Sequence, residues 1–286
     1  MEYRTLGKTG QKLSVIGFGG IVVSETERAE ASRLVADAVA KGVNYFDVAP
    51  SYGDAEEKLG PALRPHRDGV FLACKTQCRD AAGATAELTA SLAKMHTDHF
   101  DLYQLHAMTK MEDVETVLAP GGAIEAFQRA RDAGTVRYLG FSAHSAEAAE
   151  ALLDRFPFDS VLFPLNFATY LEGNFGPQVV AAAQRHGVGI LALKGMARTR
   201  WPEGTAREDR RWRKAWYEPL DDRRLAALAL RFTLSLGVTA AVPPGHAELF
   251  DLAVEIASDL RPLTTEERQE VEAMARQTEP LFRSAA

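Results

Sequence analysis

A (β/α)8 TIM barrel is the fold class this sequence predicts, with an N-terminal β-hairpin ahead of it and extra C-terminal helices behind. Three observations lead there. Short apolar runs alternate with helix-patterned segments almost from end to end. Nearly all of those runs are continuously apolar, as strands covered by helices on both faces must be. Eight such units within about 250 residues is the count of a (β/α)8 barrel. A doubly wound sheet is the other parallel architecture that stays open, because periodicity does not show closure. No linker, short-period repeat or low-complexity block divides the chain, so residues 1–286 read as one domain.

The elements follow in order. Tyr3 to Leu6 and Gln11 to Ser14 flank the turn signal Gly7-Lys8-Thr9-Gly10 and form the expected hairpin. Val15 to Phe18 is the first core strand, and Ser24 with Glu27 has the spacing of a capping box opening a helix striped by Ala31, Leu34, Val35 and Ala38. The second strand enters through Gly42 and ends at Asp47, and a helix near Ala55 to Leu63 follows. Val70 to Cys74, Phe100 to Leu105, Val136 to Phe141, Ser160 to Leu165, Val188 to Leu193 and Val238 to Val242 complete the strands. Their helices fall at Ala84 to Lys94, Ala123 to Asp132, Ala146 to Phe156, Pro177 to His186 and Arg224 to Ser235. Two more close the chain, from about Glu248 and from Thr264, where Glu267 completes a capping box. One segment breaks the rhythm: Arg198 to Asp222 holds all three tryptophans, Trp201, Trp212 and Trp216, with Tyr217, among many arginines. A long loop after the seventh strand hangs over a barrel's mouth, where its aromatics either line a pocket or pack on the rim.

Composition excludes several function classes. With 33 Lys and Arg against 39 Asp and Glu, the net charge of −6 disfavours a nucleic-acid surface and suits a protein of small metabolites. The interrupted basic run Arg207 to Lys214 reads as a solvated loop. Cys74 and Cys78 are too few for a disulfide framework or a metal site, and read as free thiols of a reducing cytoplasm. No signal-peptide pattern opens the chain and no apolar run approaches a membrane span, so a cytoplasmic location is expected. A monomer is the default for the oligomeric state.

In a barrel, residues just beyond the C-terminal strand ends share one face. Asp47, Lys75 and His106 each end a strand, 28 and 31 residues apart, about one βα unit each time. Adjacent strands therefore bring them together, with Tyr52 above on the loop after Pro50. Lys75 is costly to bury alone, and Asp47 is its natural counter-ion. A phenol beside that ammonium is expected to have its pKa lowered from about 10. Such a tyrosine donates a proton to a carbonyl oxygen or takes one back from an alcohol, while His106 orients the same oxygen. Hydride has to come from a nicotinamide. Singly, each group has a bland explanation as a cap, a snorkelling lysine or a rim histidine; together at matched strand ends they point to chemistry.

Asn44-Tyr45-Phe46-Asp47-Val48-Ala49-Pro50-Ser51-Tyr52-Gly53, followed by Ala55-Glu56-Glu57-Lys58-Leu59-Gly60, resembles the signature of the aldo-keto reductase superfamily. Cys74-Lys75-Thr76, Asp101-Leu102-Tyr103-Gln104-Leu105-His106 and Arg137-Tyr138-Leu139-Gly140-Phe141-Ser142 resemble its next blocks, and the likeness runs from about Tyr3 to Ile256. The resemblance implies reduction of an aldehyde or ketone by NAD(P)H, with Tyr52 as acid/base and Lys75, Asp47 and His106 as its supporting residues. It implies cofactor contacts at Ser142, for the carboxamide, and at Asn166, Lys194, Gly195, Gly245 and His246. Gly20 lets a ligand approach the first barrel loop. The usual glutamine and stacking tyrosine fall on Leu162 and Leu193, and Ala143 replaces a common asparagine. Val242-Pro243-Pro244-Gly245-His246 resembles the family's phosphate-binding turn, and a helix N-terminus suits an anion. Beyond it stand Asp251 and Glu255 with no Lys or Arg between Gly245 and Leu260, which leans the reading to NADH. Pocket walls are expected from Ile21, Trp201, Trp216 and Tyr217 around a small carbonyl or alcohol substrate. Two other function classes remain open: a nucleotide-binding regulatory barrel with little turnover, and a barrel isomerase or lyase that shares only the fold.

Overall fold

The structure, a computed structural model, describes residues 1–284. Hairpin strands β1 (Tyr3–Thr5) and β2 (Lys12–Ser14) pair antiparallel, then β3 (Phe18–Gly19) starts the barrel. The chain continues through α1 (Arg28–Ala40), β4 (Tyr45–Asp47), α2 (Ala55–Leu63), β5 (Phe71–Thr76), α3 (Ala81–Lys94) and β6 (Phe100–Met108). Next come α4 (Met111–Leu118), α5 (Ala123–Asp132), β7 (Val136–Ala143), α6 (Ala146–Arg155), β8 (Ser160–Pro164), α7 (Phe167–Leu171) and α8 (Pro177–His186). After β9 (Gly189–Leu193) a ribbon of β10 (Ala197–Arg200) and β11 (Tyr217–Pro219) leads to α9 (Arg223–Leu234), β12 (Ala240–Val242), α10 (Ala247–Ser258) and α11 (Thr265–Arg276).

Eight parallel strands lie in the order β12-β9-β8-β7-β6-β5-β4-β3. The sheet closes through a parallel bridge between Ile16 and Ala241, where the Gly17 amide donates to the Ala241 carbonyl and the Ala241 amide to Val15. The first strand therefore works in two halves. Val15 to Gly17 faces β12, and Phe18–Gly19 faces β4. The hairpin sits across this seam: Arg4 donates to the Leu234 and Val238 carbonyls, and Gly7 packs so tightly on Gly189 that a Cβ would meet its nitrogen at 2.4 Å.

Continuous apolar runs became strands because the helices cover one face and the barrel's own interior the other. β4, β5 and β8 are buried along their whole length. The α1 stripe Ala31, Leu34, Val35 and Ala38 is buried as its spacing requires. Its start is not where the capping box placed it. Residues 20–23 form a 3-10 turn capped at Ser24, Glu25 takes φ +60°, and α1 begins at Arg28 after an uncapped Glu27. The capping box of Thr264 and Glu267 does form. Two short helices, α4 and α7, were not anticipated, and the aromatic segment carries the ribbon β10–β11 where the sequence showed only a loop.

Candidate active site

Parallel register sets the geometry of the site. Asp47 pairs across from Ala73, and Lys75 from Gln104, so each strand advances its functional residue by two positions on its neighbour. Side chains two apart share a face, and this places Asp47 and Lys75 together inside the barrel mouth. Lys75 is fully buried and forms an ion pair with the Asp47 carboxylate, while its Nζ also donates to the Val48 carbonyl at 3.2 Å. The second Asp47 oxygen accepts from Tyr45 Oη and Gln104 Nε2, both at 3.1 Å. Neither Tyr45 nor Gln104 was singled out from the sequence. Each stands two residues before a selected one, Asp47 and His106, and strand alternation alone would have found them.

Tyr52 hangs over this pair, with Lys75 Nζ 4.9 Å from its ring centroid. Burial alone would lower the Lys75 pKa, but Asp47 and the phenol reverse this and hold the amine above its ordinary range. For Tyr52 the expectation from the sequence is corrected. Burial, with a contribution from the Asp47 charge, outweighs the ammonium, and the phenol sits above its ordinary value of 10.0. It is a protonated donor throughout the neutral range.

His106 stands edge-on to Tyr52, ring centroids 5.8 Å apart, and its Nδ1 lies 3.4 Å from Ser51 Oγ. A register shift between Leu105 and Met108 bulges the strand there, and Ala107 takes φ +55°. Bulges re-aim side chains beside active sites. This one is held by the Arg79 guanidinium on the His106 carbonyl and by the Ala107 amide on Ser142 Oγ, at 2.9 and 2.8 Å. Burial, then the Lys75 charge, pushes the His106 pKa down to about 3, so the imidazole is neutral at physiological pH.

These four residues open into one cavity of about 260 Å³ at the barrel mouth. Ile21, Ser142, Lys194, Trp216, Tyr217 and Gly245 line it, joined by His144, Lys214, Leu162 and Leu193. Other expected contacts lie elsewhere. Trp201 is corrected: its indole donates to the Ala215 carbonyl at 2.9 Å and packs on the core rather than facing the cavity. Gly19, not Gly20, reaches the cavity wall, since Gly20 packs against Val48. Gly195 packs on Thr233. His246 precedes α10 and accepts the Lys214 amide at 3.0 Å, while Lys214 Nζ reaches the Ile21 and Val22 carbonyls. The aromatic segment is thereby strapped across the mouth.

The residues present fit a nicotinamide nucleotide. Ser142 Oγ accepts from Ala107 and keeps its own proton for a ligand, while Asn166 lies fully buried behind the lining residues, capping α7 through Oδ1 with its Nδ2 left without a hydrogen-bond partner. Across β9 from them, the Gly245 turn that follows β12 leads into α10, whose N-cap has no side-chain bond to the first-turn amides. The reading toward NADH loses its basis. Asp251 pairs with Lys41 at 2.6 Å and Glu255 with Arg223, so neither carboxylate is free to repel a phosphate.

The mouth of this closed parallel barrel thus holds a buried ammonium–carboxylate pair under a tyrosine and a neutral histidine. A family model described as "Aldo/keto reductase family" matches residues 15–275. The chain belongs to that family, whose members are oxidoreductases of carbonyl substrates that use nicotinamide cofactors. Similar proteins include "Uncharacterized oxidoreductase YqkF" of Bacillus subtilis, 25% identical with 97% of each chain covered. "L-galactose dehydrogenase" of Arabidopsis thaliana is 25% identical, covering 69% of this chain and 66% of its own. An aldo-keto reductase of Bacillus halodurans, solved in its holo form, shares the fold with a TM-score of 0.77, at 24% identity and 99% and 98% coverage. Among the described residues no helix is long and apolar enough to cross a membrane.

Proposed function

We propose that the chain is a NAD(P)H-dependent reductase of aldehydes or ketones, reversible toward the alcohol, with Tyr52 as general acid/base. The observation that carries the reading is the fully buried Lys75–Asp47 pair facing the Tyr52 ring beneath an open cavity. A bound nicotinamide supplies the hydride; Ser142 and Asn166 would hold its carboxamide, and the Gly245 turn its phosphates. The remaining work falls to the protein. Tyr52 keeps its proton at neutral pH and delivers it to the developing alkoxide. Lys75, locked by Asp47, stabilises the phenolate that is left, and its own charge is the more effective for being away from water. Neutral His106 donates a hydrogen bond to the carbonyl oxygen and fixes its direction. The hydrogen bonds of Tyr45 and Gln104 to Asp47 keep the pair from rotating out of line.

The reading includes a single domain over residues 1–286, supported by a family match from 15 to 275, and a cytoplasmic location, supported by two free thiols. Fluorescence titration with NADH and NADPH, followed by an aldehyde and ketone panel, tests the function. Tyr52→Phe should bind nucleotide nearly as wild type and lose roughly two to four orders of magnitude in reductive rate. Near wild-type turnover by that variant overturns the role of Tyr52. No spectral change with either nucleotide overturns the oxidoreductase reading.

A further inference from the structure

We propose that Arg79 is a positioning residue for carbonyl reduction, fixing the direction of His106 through the two carbonyls of the β6 bulge. The proposal rests on the reductase reading and adds a residue to its site. It starts from the backbone. The ladder between β6 and β7 pairs Leu105 with Phe141 and resumes at Met108 with Ala143, so His106 and Ala107 have no partner on that side. Buried backbone groups released in this way need other partners. Ser142 Oγ takes the Ala107 amide at 2.8 Å. Arg79 Nη2 donates to the His106 carbonyl at 2.9 Å and to the Ala107 carbonyl at 3.4 Å. Successive carbonyls of a regular strand point opposite ways, and one nitrogen does not serve both. Here it does, because Ala107 takes φ +55°, a region that costs a residue with a side chain roughly 1 kcal/mol. Arg79 therefore holds the peptide whose turn aims His106.

The guanidinium is itself anchored from several elements. Arg79 lies in the turn after β5, so one segment carries both the buried Lys75 amine and the grip on His106. Its own carbonyl accepts the Ala123 amide at 2.8 Å, and Asp80 beside it bridges to Gly122 while its carboxylate caps α3. Asp113 of α4 stands 3.5 Å from Nη2. Yet Nη1 is buried with no hydrogen-bond partner. A buried donor left unmade costs stability. An arginine kept here at that cost serves the bulge rather than the fold.

What the grip secures is a ring direction. With the backbone fixed, His106 Nδ1 faces Ser51 Oγ at 3.4 Å and the ring stands edge-on to Tyr52. A hydroxyl donating to Nδ1 leaves Nε2 to carry the proton toward a substrate oxygen, which is one tautomer of the neutral ring. Burial first, then the charges of Lys75, His144, Arg79 and Lys194, keeps that ring uncharged. Arg79 contributes less to this than burial or Lys75 does. Its removal should therefore disturb direction and tautomer before it disturbs protonation.

The experiment uses the full chain carrying Arg79→Met or Arg79→Lys, each also combined with His106→Gln. Arg79→Met should lower kcat/KM for 4-nitrobenzaldehyde by about tenfold or more where His106 is present, and by less than about twofold in the His106→Gln background. Arg79→Lys should recover part of the loss, and nucleotide Kd should change less than about threefold. A residue that only supports the fold would add its loss in both backgrounds. The second arm needs no turnover. Long-range proton–nitrogen NMR spectra of the nucleotide-free protein, with the His106 signal identified by its absence in His106→Gln, should show one tautomer in the wild type. Arg79→Met should show an averaged pair, with Arg79→Lys between. Where Arg79→Met fails to fold, Arg79→Lys carries both readings. A changed His106 signal in a protein that reduces no aldehyde upholds the positioning role and overturns only the reductase reading. Equal losses in both backgrounds, a loss confined to nucleotide affinity, or an unchanged His106 signal in the variants would each overturn the role of Arg79.

Discussion

Removing the Asp47 charge is the sharpest perturbation of this site. In Asp47→Asn the carboxamide can keep partners in Tyr45 and Gln104 but leaves the Lys75 ammonium fully buried without a counter-ion. Two routes bound the cost. Leaving a buried charge unpaired costs about 3–5 kcal/mol. Alternatively Lys75 sheds its proton, which from an ordinary lysine pKa costs about 1.36 kcal/mol per unit over about 3.4 units at pH 7, or about 4.6 kcal/mol. The routes agree, and deprotonation sets the ceiling. They differ from any packing defect in their pH dependence. An amine that is neutral when folded and charged when unfolded makes the unfolded state bind more protons, so the stability of Asp47→Asn should rise with pH. Near pH 10 the deprotonation cost falls to about 0.5 kcal/mol. In the wild type the sign is opposite. Asp47 and Tyr52 hold Lys75 above its ordinary range, so that stability is fully present below about pH 10.4 and is lost only as pH rises further. Urea denaturation at pH 7, 8.5 and 10, with m-values compared, should show a deficit of 3–5 kcal/mol shrinking by at least half. The double variant Asp47→Asn with Lys75→Met should recover most of the loss at every pH. A deficit below about 1 kcal/mol, or one indifferent to pH, would refute the reasoning.

The remaining expectations are simpler. With His106 pushed down to about 3 by burial and the Lys75 charge, and Tyr52 held above 10.0, kcat/KM for carbonyl reduction should be flat from pH 5 to 9. An inflection near 6.5 that vanishes in His106→Gln would contradict this. A Cβ on Gly245 would meet Ile21 Cγ2 at 2.2 Å and Cβ at 2.7 Å, so Gly245→Ala should cost about 1–3 kcal/mol, with Ile21→Ala restoring part of it in thermal melts. A melting point unchanged by Gly245→Ala would show that the turn has room to spare.

The barrel was legible because each parallel strand is an apolar run with no competing pattern, and the four site residues because their spacing matches the βα repeat. What the sequence hid was set by tertiary reach. Lys41 neutralises Asp251 from 210 residues away, and no inspection of the segment after Gly245 would supply that cation. The Tyr52 shift needed the depth of burial as well as its neighbour's charge, and sequence showed only the neighbour. Trp201 and Trp216 looked alike in one irregular segment, until the ribbon β10–β11 turned one toward the core and left the other at the mouth. Tyr45 and Gln104 are a different case, readable from alternation but overshadowed by the charged residues two positions on.

The seam between the two ends of the sheet also governs when the molecule can become whole. Arg4 holds the Leu234 and Val238 carbonyls, partners 230 and 234 residues along the chain. At roughly 5–20 residues per second of synthesis, the hairpin waits on the order of 10–50 s for them. Through that interval β3 and the hairpin present an unclosed flank, while Asp47, Lys75 and Tyr52 have already been made. The Asp47, Lys75 and Tyr52 cluster belongs to the early half of the chain and its enclosure to the late half, so a truncated product would carry these residues without a finished vessel around them.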